Sequence, residues 1–174
     1  MNNSKFIVSG HINFWLNAPM SNVKVFIGTD STLTDNNGYF SFATIPANTP
    51  LDARIEKPDT YDNGVDATDV LLLRRHILGI STLNSVYKTI AADVDASDTV
   101  DATDLLILRR FILGLNKALP VLSPWRFILQ SLSTGANNYP TGVSFNNGYI
   151  FSTSVSNFDI IGVKIGDIDG SAGY

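Results

Sequence analysis

An internal repeat constrains the fold of this 174-residue chain more than any other feature of the sequence. Residues 65–79, VDATDVLLLRRHILG, align with residues 100–114, VDATDLLILRRFILG, at an offset of 35 residues, and twelve of the fifteen positions are identical. A solvated surface has no reason to repeat residue by residue, whereas a duplicated structural unit does. The repeat therefore predicts two copies of one unit, each a polar loop followed by a helix.

Both helices are expected to be short and amphipathic. In the second copy the apolar positions recur at helical spacing: Leu105, Leu106, Leu108, Ile112 and Leu113. Gly79 and Gly114 stand where a C-cap glycine ends a helix. Helices of about three turns are not stable alone, so we expect the two apolar faces to pack together.

The loop before the second helix, DVDASDTVDATD at 93–104, contains five aspartates in twelve residues. Carboxylates this close repel one another unless a cation lies among them, although a solvated helix start is the alternative. In a twelve-residue calcium loop that begins at Asp93, oxygen donors fall at the ligand positions: Asp93, Asp95, Ser97, the backbone carbonyl of Thr99, Asp101 and Asp104. Donors that are all oxygen suit calcium and argue against zinc or copper. Asp98 replaces the usual glycine at position 6 and must adopt a left-handed conformation.

The first loop fits this pattern less well, because counting back from Asp69 as position 12 places Pro58 at position 1. We nevertheless expect a second calcium ion here, with these candidate ligands: Asp59, Asp62, Asp66 and Asp69. Near the C-terminus, Asp167 and Asp169 in GDIDG also resemble the start of a calcium loop, but the pattern is more typical of a turn. The sequence thus predicts two ions, both in the repeats.

The predicted fold class is α+β, in three parts. Residues 1–56 contain short alternating apolar segments separated by turn signals, which predict a small antiparallel β-sandwich. Residues 57–119 hold the calcium-binding helical pair. Residues 120–174 return to strand character, and we expect this C-terminal β segment to complete a sheet of the sandwich or of a neighbouring subunit.

The loop-helix unit, present twice with LRR and ILG in each helix, resembles the type I dockerin module over about residues 59–115. The resemblance implies two calcium-bound units related by a pseudo-two-fold axis and a cohesin-type protein partner. The partner-facing residues that it implies are Thr68, Arg74, Arg75, Thr103, Arg109 and Arg110. A plainer interpretation of each arginine pair is that one side chain lies along the apolar seam while the other is solvated.

The N-terminal part has a resemblance of its own, carried by TDNNGYFSF at 34–42. It is similar to the carboxypeptidase-regulatory-like or transthyretin-like β-sandwich, which implies a structural spacer and an extracellular context. The succession of sandwich, dockerin-like pair and final strand resembles composite modules in large secreted surface proteins of Bacteroidetes-type bacteria. In such a setting an internal, structural use of the calcium unit competes with cohesin binding.

Composition narrows the functional classes. The net charge of −4 gives no reason to expect nucleic acid, no run approaches the length of a membrane span, and the absence of cysteine excludes disulfides and thiolate sites. The first 20 residues lack the apolar core of a signal peptide. His11 and His76 are the only imidazoles, and neither a nucleophile elbow nor a phosphate-binding loop is present, so we expect no enzyme.

We therefore expect an extracellular or cell-surface, calcium-stabilised structural or assembly module. One form of this hypothesis is a surface or filament subunit that polymerises by strand pairing, through the apolar C-terminal strand or through residues 6–10. A second is a dockerin-type adaptor for a cohesin-like partner. A third is a carbohydrate-binding module in which Trp15 and Trp125 form a stacking platform, although Trp125 alternates with its neighbours as strand core.

Overall fold

The computed structural model describes residues 5–46, 50–51, 53–132, 149–150 and 153–173. These residues form two compact units. The first contains the described residues up to 58, together with 127–132 and those of 149–162, and the second contains 59–126 and 163–173. Along the chain, the first change of unit comes between residues 58 and 59, and residues 120–174 are divided between the two units.

The described strands and helices follow in chain order. The strands are β1 (Lys5–Phe14), β2 (Lys24–Ile27), β3 (Asp30–Leu33), β4 (Tyr39–Pro46), β5 (Pro50–Leu51), β6 (Ala53–Glu56), β7 (Trp125–Leu129), β8 (Tyr149–Ile150) and β9 (Ile160–Lys164). The helices are α1 (Ala67–Ile77), α2 (Val86–Ala92) and α3 (Ala102–Ile112), with a single 3-10 turn at Gln130–Leu132. The fold class is α+β, as predicted.

The larger sheet has the strand order β4-β1-β9-β7. Strand β1 pairs antiparallel with β4 but parallel with β9, where Ile12 lies opposite Ile160. The described strand pairs within residues 1–56 are antiparallel, and the parallel pair with β9, whose direction was not predicted, makes the larger sheet mixed. Apolar alternation reports which face of a strand is buried and carries no information on the direction of its neighbour.

A second sheet, β3-β2-β6, is antiparallel throughout. Its outer strand β3 was not predicted, because the segment DSTL is polar and has no buried residue. The core of the first unit is built from large apolar side chains with almost no exposed surface: Ile12, Phe14, Met20, Ile27, Phe40, Ile45 and Ile160. Each contributes about 1.5–3 kcal/mol by leaving water.

Two short strands, β5 and β8, pair with each other. Residues 133–148 and 151–152 of the predicted C-terminal β segment lie outside the described residues. No helix of the described residues is long and apolar enough to cross a membrane.

Helices α1 and α3 occupy the same positions in the two repeats. Each begins after an aspartate N-cap, Asp66 or Asp101, whose side chain accepts a hydrogen bond from the backbone two residues later. Each ends before a glycine with positive φ, 67° at Gly79 and 70° at Gly114, as the sequence predicted. Both helices begin inside the last residues of the twelve-residue loops, so Asp69 and Asp104 are third in their helices and complete capping boxes.

Packing explains why two short helices are stable. Helices α1 and α3 contact each other, and the equivalent residues Leu73 and Leu108 are fully buried. Helix α2, which was not predicted, buries Ile90, Ala91 and Ala92 in the same unit. A seven-residue helix gives too little periodicity to be recognised in a sequence, because it spans only two turns.

Candidate metal centres

The second loop brings three carboxylates together just before α3. One oxygen from each of Asp93, Asp95 and Asp104 lies within 4.8 Å of the others, and Asp93 and Asp104 have no exposed surface. Two like charges about 4 Å apart repel by about 4 kcal/mol at an effective dielectric constant of 20. A divalent cation among them would convert that repulsion into attraction.

Backbone donors hold this loop in shape. The Ser97 amide donates to Asp93 Oδ1 (2.9 Å) and to Asp95 Oδ1 (3.1 Å), and the Val94 amide donates to Asp104 Oδ1 (2.9 Å). The predicted left-handed residue is present, since Asp98 has a φ of 63°. These bonds fix the carboxylates in a ring while leaving oxygen lone pairs available to a cation.

Two further predicted ligands have different surroundings. The Thr99 carbonyl accepts a hydrogen bond from Ser97 Oγ at 3.3 Å, which places a carbonyl beside the position-5 side chain. Asp101 is exposed and caps α3 by accepting from the Thr103 amide at 2.6 Å. Asp101 is therefore outside the converging group, as position 9 often is when it acts through water.

The converging carboxylates of the second loop concentrate negative charge. Burial, with help from Asp95 and Asp93, raises the pKa of Asp104 to about 6. Arg126 lies beside Asp93, with 3.6 Å between its Nη1 and Asp93 Oδ2. A donor set of buried carboxylates and a backbone carbonyl, with no nitrogen or sulfur ligand, fits calcium.

In the first repeat only Asp69 joins a comparable group, and its companions come from the far end of the chain. Oxygens of Asp69, Asp167 and Asp169 lie within 4.8 Å of one another. Asp69 and Asp167 have no exposed surface, and burial raises their pKa values to about 7 and about 6. The segment that the sequence assigned to a turn thus supplies two of the three carboxylates.

The other candidate ligands of the first loop lie elsewhere in the same unit. Asp59 Oδ2 accepts from Lys164 Nζ at 3.0 Å and from the Trp125 indole at 2.9 Å. Asp66 caps α1, and both Asp66 and the exposed Asp62 line a groove of about 630 Å³. None of these three carboxylates belongs to a converging group in the part of the chain that the structure describes.

The residues expected to face a partner are on the surface. The side chains in question are all exposed: Thr68, Arg74, Arg75, Thr103, Arg109 and Arg110. Val70 and Arg74 of α1 line a groove with their repeat equivalents Leu105 and Arg109 of α3. Both arginines of each pair are exposed, and Arg74 and Arg109 also border this groove. The arrangement therefore matches neither the partner-facing interpretation nor the apolar-seam interpretation in full.

The tryptophans do not form an open stacking platform. Trp125 retains only 4% of its surface, which agrees with its assignment as strand core. Trp15 is half-buried and packs against Phe14, with 5.7 Å between the ring centroids.

Residues 60–113 match the family model of the dockerin type I domain. This part of the chain is a dockerin-like domain. The match covers both loop-helix units and supports calcium binding and a protein partner in general terms. It ends well before Asp167, so the C-terminal carboxylates that meet Asp69 lie outside the matched dockerin-like residues. The chain has no match among curated proteins or solved structures.

Proposed function

We propose that this protein is a non-catalytic, extracellular, calcium-dependent adaptor that presents the faces of two short helices to a cohesin-like partner. The observation that carries this proposal is the buried group of Asp93, Asp95 and Asp104 at the start of α3, inside residues that match the dockerin model. Calcium would be held there by these carboxylates and by the Thr99 carbonyl. Its charge would stabilise the loop that begins the helix.

A duplicated exposed stripe supports the partner-binding role. On α1 and the residue that follows it, the stripe consists of Thr68, Leu71, Arg75 and Leu78. The same four residue types recur 35 positions later, at Thr103, Leu106, Arg110 and Leu113. The four leucines remain 52–68% exposed. The residues of each stripe follow one another at intervals of three and four, which places them along one side of the helix. A group of exposed apolar side chains marks an interaction surface more often than a single one does, and arginine is enriched at protein interfaces.

Polymerisation by strand pairing is supported less well. Residues 6–10 of β1 pair with β4 on one side, and on the other side the backbone of Ser9 bonds to Val155 and Phe158. The C-terminal strand β9 lies between β1 and β7. Both strands that we expected to offer a free edge are therefore internal to the sheet. We propose the adaptor function in preference to the filament subunit and to the glycan-binding module for this reason and because Trp125 is buried.

The test is binding of calcium-loaded protein to a panel of purified type I cohesin domains, measured by isothermal titration. We expect a complex that is lost in a chelator. The double variant Leu71→Ser/Leu106→Ser should weaken it at least about tenfold, since truncating a hot-spot side chain costs about 2 kcal/mol or more. Leu33→Ser is the matched control, because Leu33 on β3 is 56% exposed and lies outside the dockerin-like residues. Absence of binding to the whole panel with calcium present would count against the adaptor function.

A further inference from the structure

The C-terminal segment Asp167–Ser171 has the same pattern as the first five residues of the second loop. DIDGS at 167–171 repeats DVDAS at 93–97 with the same residues at positions 1, 3 and 5. The Ser171 amide donates to Asp167 Oδ1 (2.9 Å) and Asp169 Oδ1 (3.0 Å), as the Ser97 amide does to Asp93 and Asp95. The residue before each serine has a positive φ, 82° at Gly170 and 59° at Ala96.

The two segments also meet their helices in the same way. The Ile168 amide donates to Asp69 Oδ1 at 2.7 Å, and the Val94 amide donates to Asp104 Oδ1 at 2.9 Å. The other oxygen of each helical carboxylate accepts from its own N-cap amide, at Asp66 in α1 and at Asp101 in α3. The C-terminal segment thus makes the same hydrogen bond to α1 that residues 93–97 make to α3.

A third contact completes the correspondence. Ser171 Oγ donates to the Gly64 carbonyl at 3.1 Å, and Ser97 Oγ donates to the Thr99 carbonyl at 3.3 Å. Gly64 and Thr99 are equivalent, because they are 35 positions apart and each lies five residues before its helical aspartate. The carbonyl, the carboxylates and the serine hydroxyl therefore have the same arrangement at the start of α1 as at the start of α3.

From this correspondence, and resting on the calcium-binding function proposed above, we infer that the first calcium loop is split in the sequence. Residues 167–171 supply its positions 1 to 5, and residues 64–69 supply its positions 7 to 12. The ligands we assign are Asp69, Asp167 and Asp169 with the Gly64 carbonyl. In the part of the chain that the structure describes, no lysine, arginine or histidine forms an ion pair with these three carboxylates, two of which are fully buried.

The local sequence explains why the first repeat does not use its own residues. Residues 58–62, PDTYD, correspond to DVDAS but have proline at position 1, and Asp59 is already paired with Lys164. Gly64 lets the C-terminal segment approach, since a Cβ at this position would lie 2.5 Å from the backbone of Ala172. Asn63 adds reciprocal bonds to Gly173, with its amide nitrogen donating at 2.7 Å. A bound ion would therefore fasten the C-terminal segment to α1.

Calcium titration of chelator-stripped protein tests this inference, using two substitutions at the same loop position. We expect two ions in the unmodified chain. Asp169→Asn should remove or weaken at least about tenfold one site, and Asp95→Asn should do the same to the other. Asp62→Asn is the control that separates a split loop from a contiguous one, and it should leave both ions in place. Thermal melts of each variant establish that the chain still folds.

Hydrogen exchange supplies a readout of location. Calcium should protect the amides of Ile168 and Ser171 in the unmodified chain and in Asp95→Asn, but not in Asp169→Asn. A single ion that is lost in Asp95→Asn and retained in Asp169→Asn would overturn the split loop while leaving calcium binding intact. Loss of an ion in Asp62→Asn would also overturn it, in favour of the contiguous loop. No calcium binding at all would refute the proposed function itself, and the split loop with it.

Discussion

Lys164 and Asp59 form an ion pair with 3.0 Å between Nζ and Oδ2, and the lysine side chain has no exposed surface. Lys164 Nζ also donates to the Thr60 carbonyl, and the Trp125 indole donates to the same Asp59 oxygen. Burial opposes ionisation of both partners and lowers the pKa of Lys164, but the hydrogen bond and charge of Lys164 hold the pKa of Asp59 below its usual value. The pair therefore fixes Lys164, the last residue of β9, to the first residues of the contiguous first loop.

Replacing Lys164 with methionine should destabilise the protein by about 3–5 kcal/mol, because it leaves a partly buried carboxylate without its cation. Urea denaturation measures the change. The double variant Lys164→Met/Asp59→Asn should recover a large part of the loss, since the amide is neutral and its oxygen still accepts from Trp125. Equal destabilisation by the single and double variants would show that the charge of Asp59 is not the cause.

Calcium-free protein should lose stability as the pH rises from 5 to 8. The pKa values of Asp69, Asp104 and Asp167 are raised to about 7, 6 and 6 in the folded state, so between pH 4 and these values the folded chain binds more protons than the unfolded chain. Stability then falls with rising pH, because the unfolded chain releases these protons at a lower pH than the folded chain does. Denaturation in metal-free buffer across this range checks the sign.

The same denaturation series with saturating calcium is the comparison. The ion stabilises the charged carboxylates, so the gain in unfolding free energy on adding calcium should be larger at pH 8 than at pH 5. A calcium-free protein that is more stable at pH 8 than at pH 5 would contradict the origin we give for these raised pKa values.

Gly64→Ala should cost clearly more stability than Gly79→Ala. Both glycines have positive φ, 74° and 67°, so each substitution carries a backbone cost of about 1–2 kcal/mol. At Gly79 a Cβ meets nothing within 4 Å, whereas at Gly64 it would collide with the backbone of Ala172. The difference between the two melting temperatures measures the close approach of the C-terminal segment, and equal values would contradict it.

His76→Phe should stabilise the protein by about 1 kcal/mol or more. His76 Nδ1 is buried and has no hydrogen-bond partner in the described part of the chain, while the equivalent residue of the second repeat is the buried Phe111. A buried polar atom without a partner costs about 1–3 kcal/mol, and a phenylalanine side chain has no such atom. A melting temperature that is unchanged or lower would show that the imidazole is satisfied by water.

The sequence predicted those parts of the structure that depend on local spacing. The repeat located both helices and their terminal glycines, and the twelve-residue spacing identified Asp93, Asp95 and Asp104 as a converging group. Helix α2 and strand β3 were missed, because one is only seven residues long and the other is polar. Neither carries the periodic apolar signal on which such predictions depend.

The group around Asp69 was missed for a different reason. Its ligands lie about 100 residues apart, and spacing rules detect only donors that are close in sequence. One signal was nevertheless present, since DIDGS at 167–171 shares both aspartates and the serine of DVDAS at 93–97. Comparing the C-terminal segment with the second loop, instead of judging it as a turn by itself, finds this correspondence.

Asp69 and Ile168 are 99 residues apart in sequence. The two loops therefore differ in the entropy cost of closing them and in the time during synthesis at which each can form. The second loop needs only twelve neighbouring residues, whereas a split first loop must close a segment about eight times longer, at an extra cost of about 2 kcal/mol. At synthesis rates of about 5–20 residues per second, its two halves emerge roughly 5–20 s apart. During synthesis the second loop can thus form first, whereas the first loop can be completed only after residues 167–171 have been made.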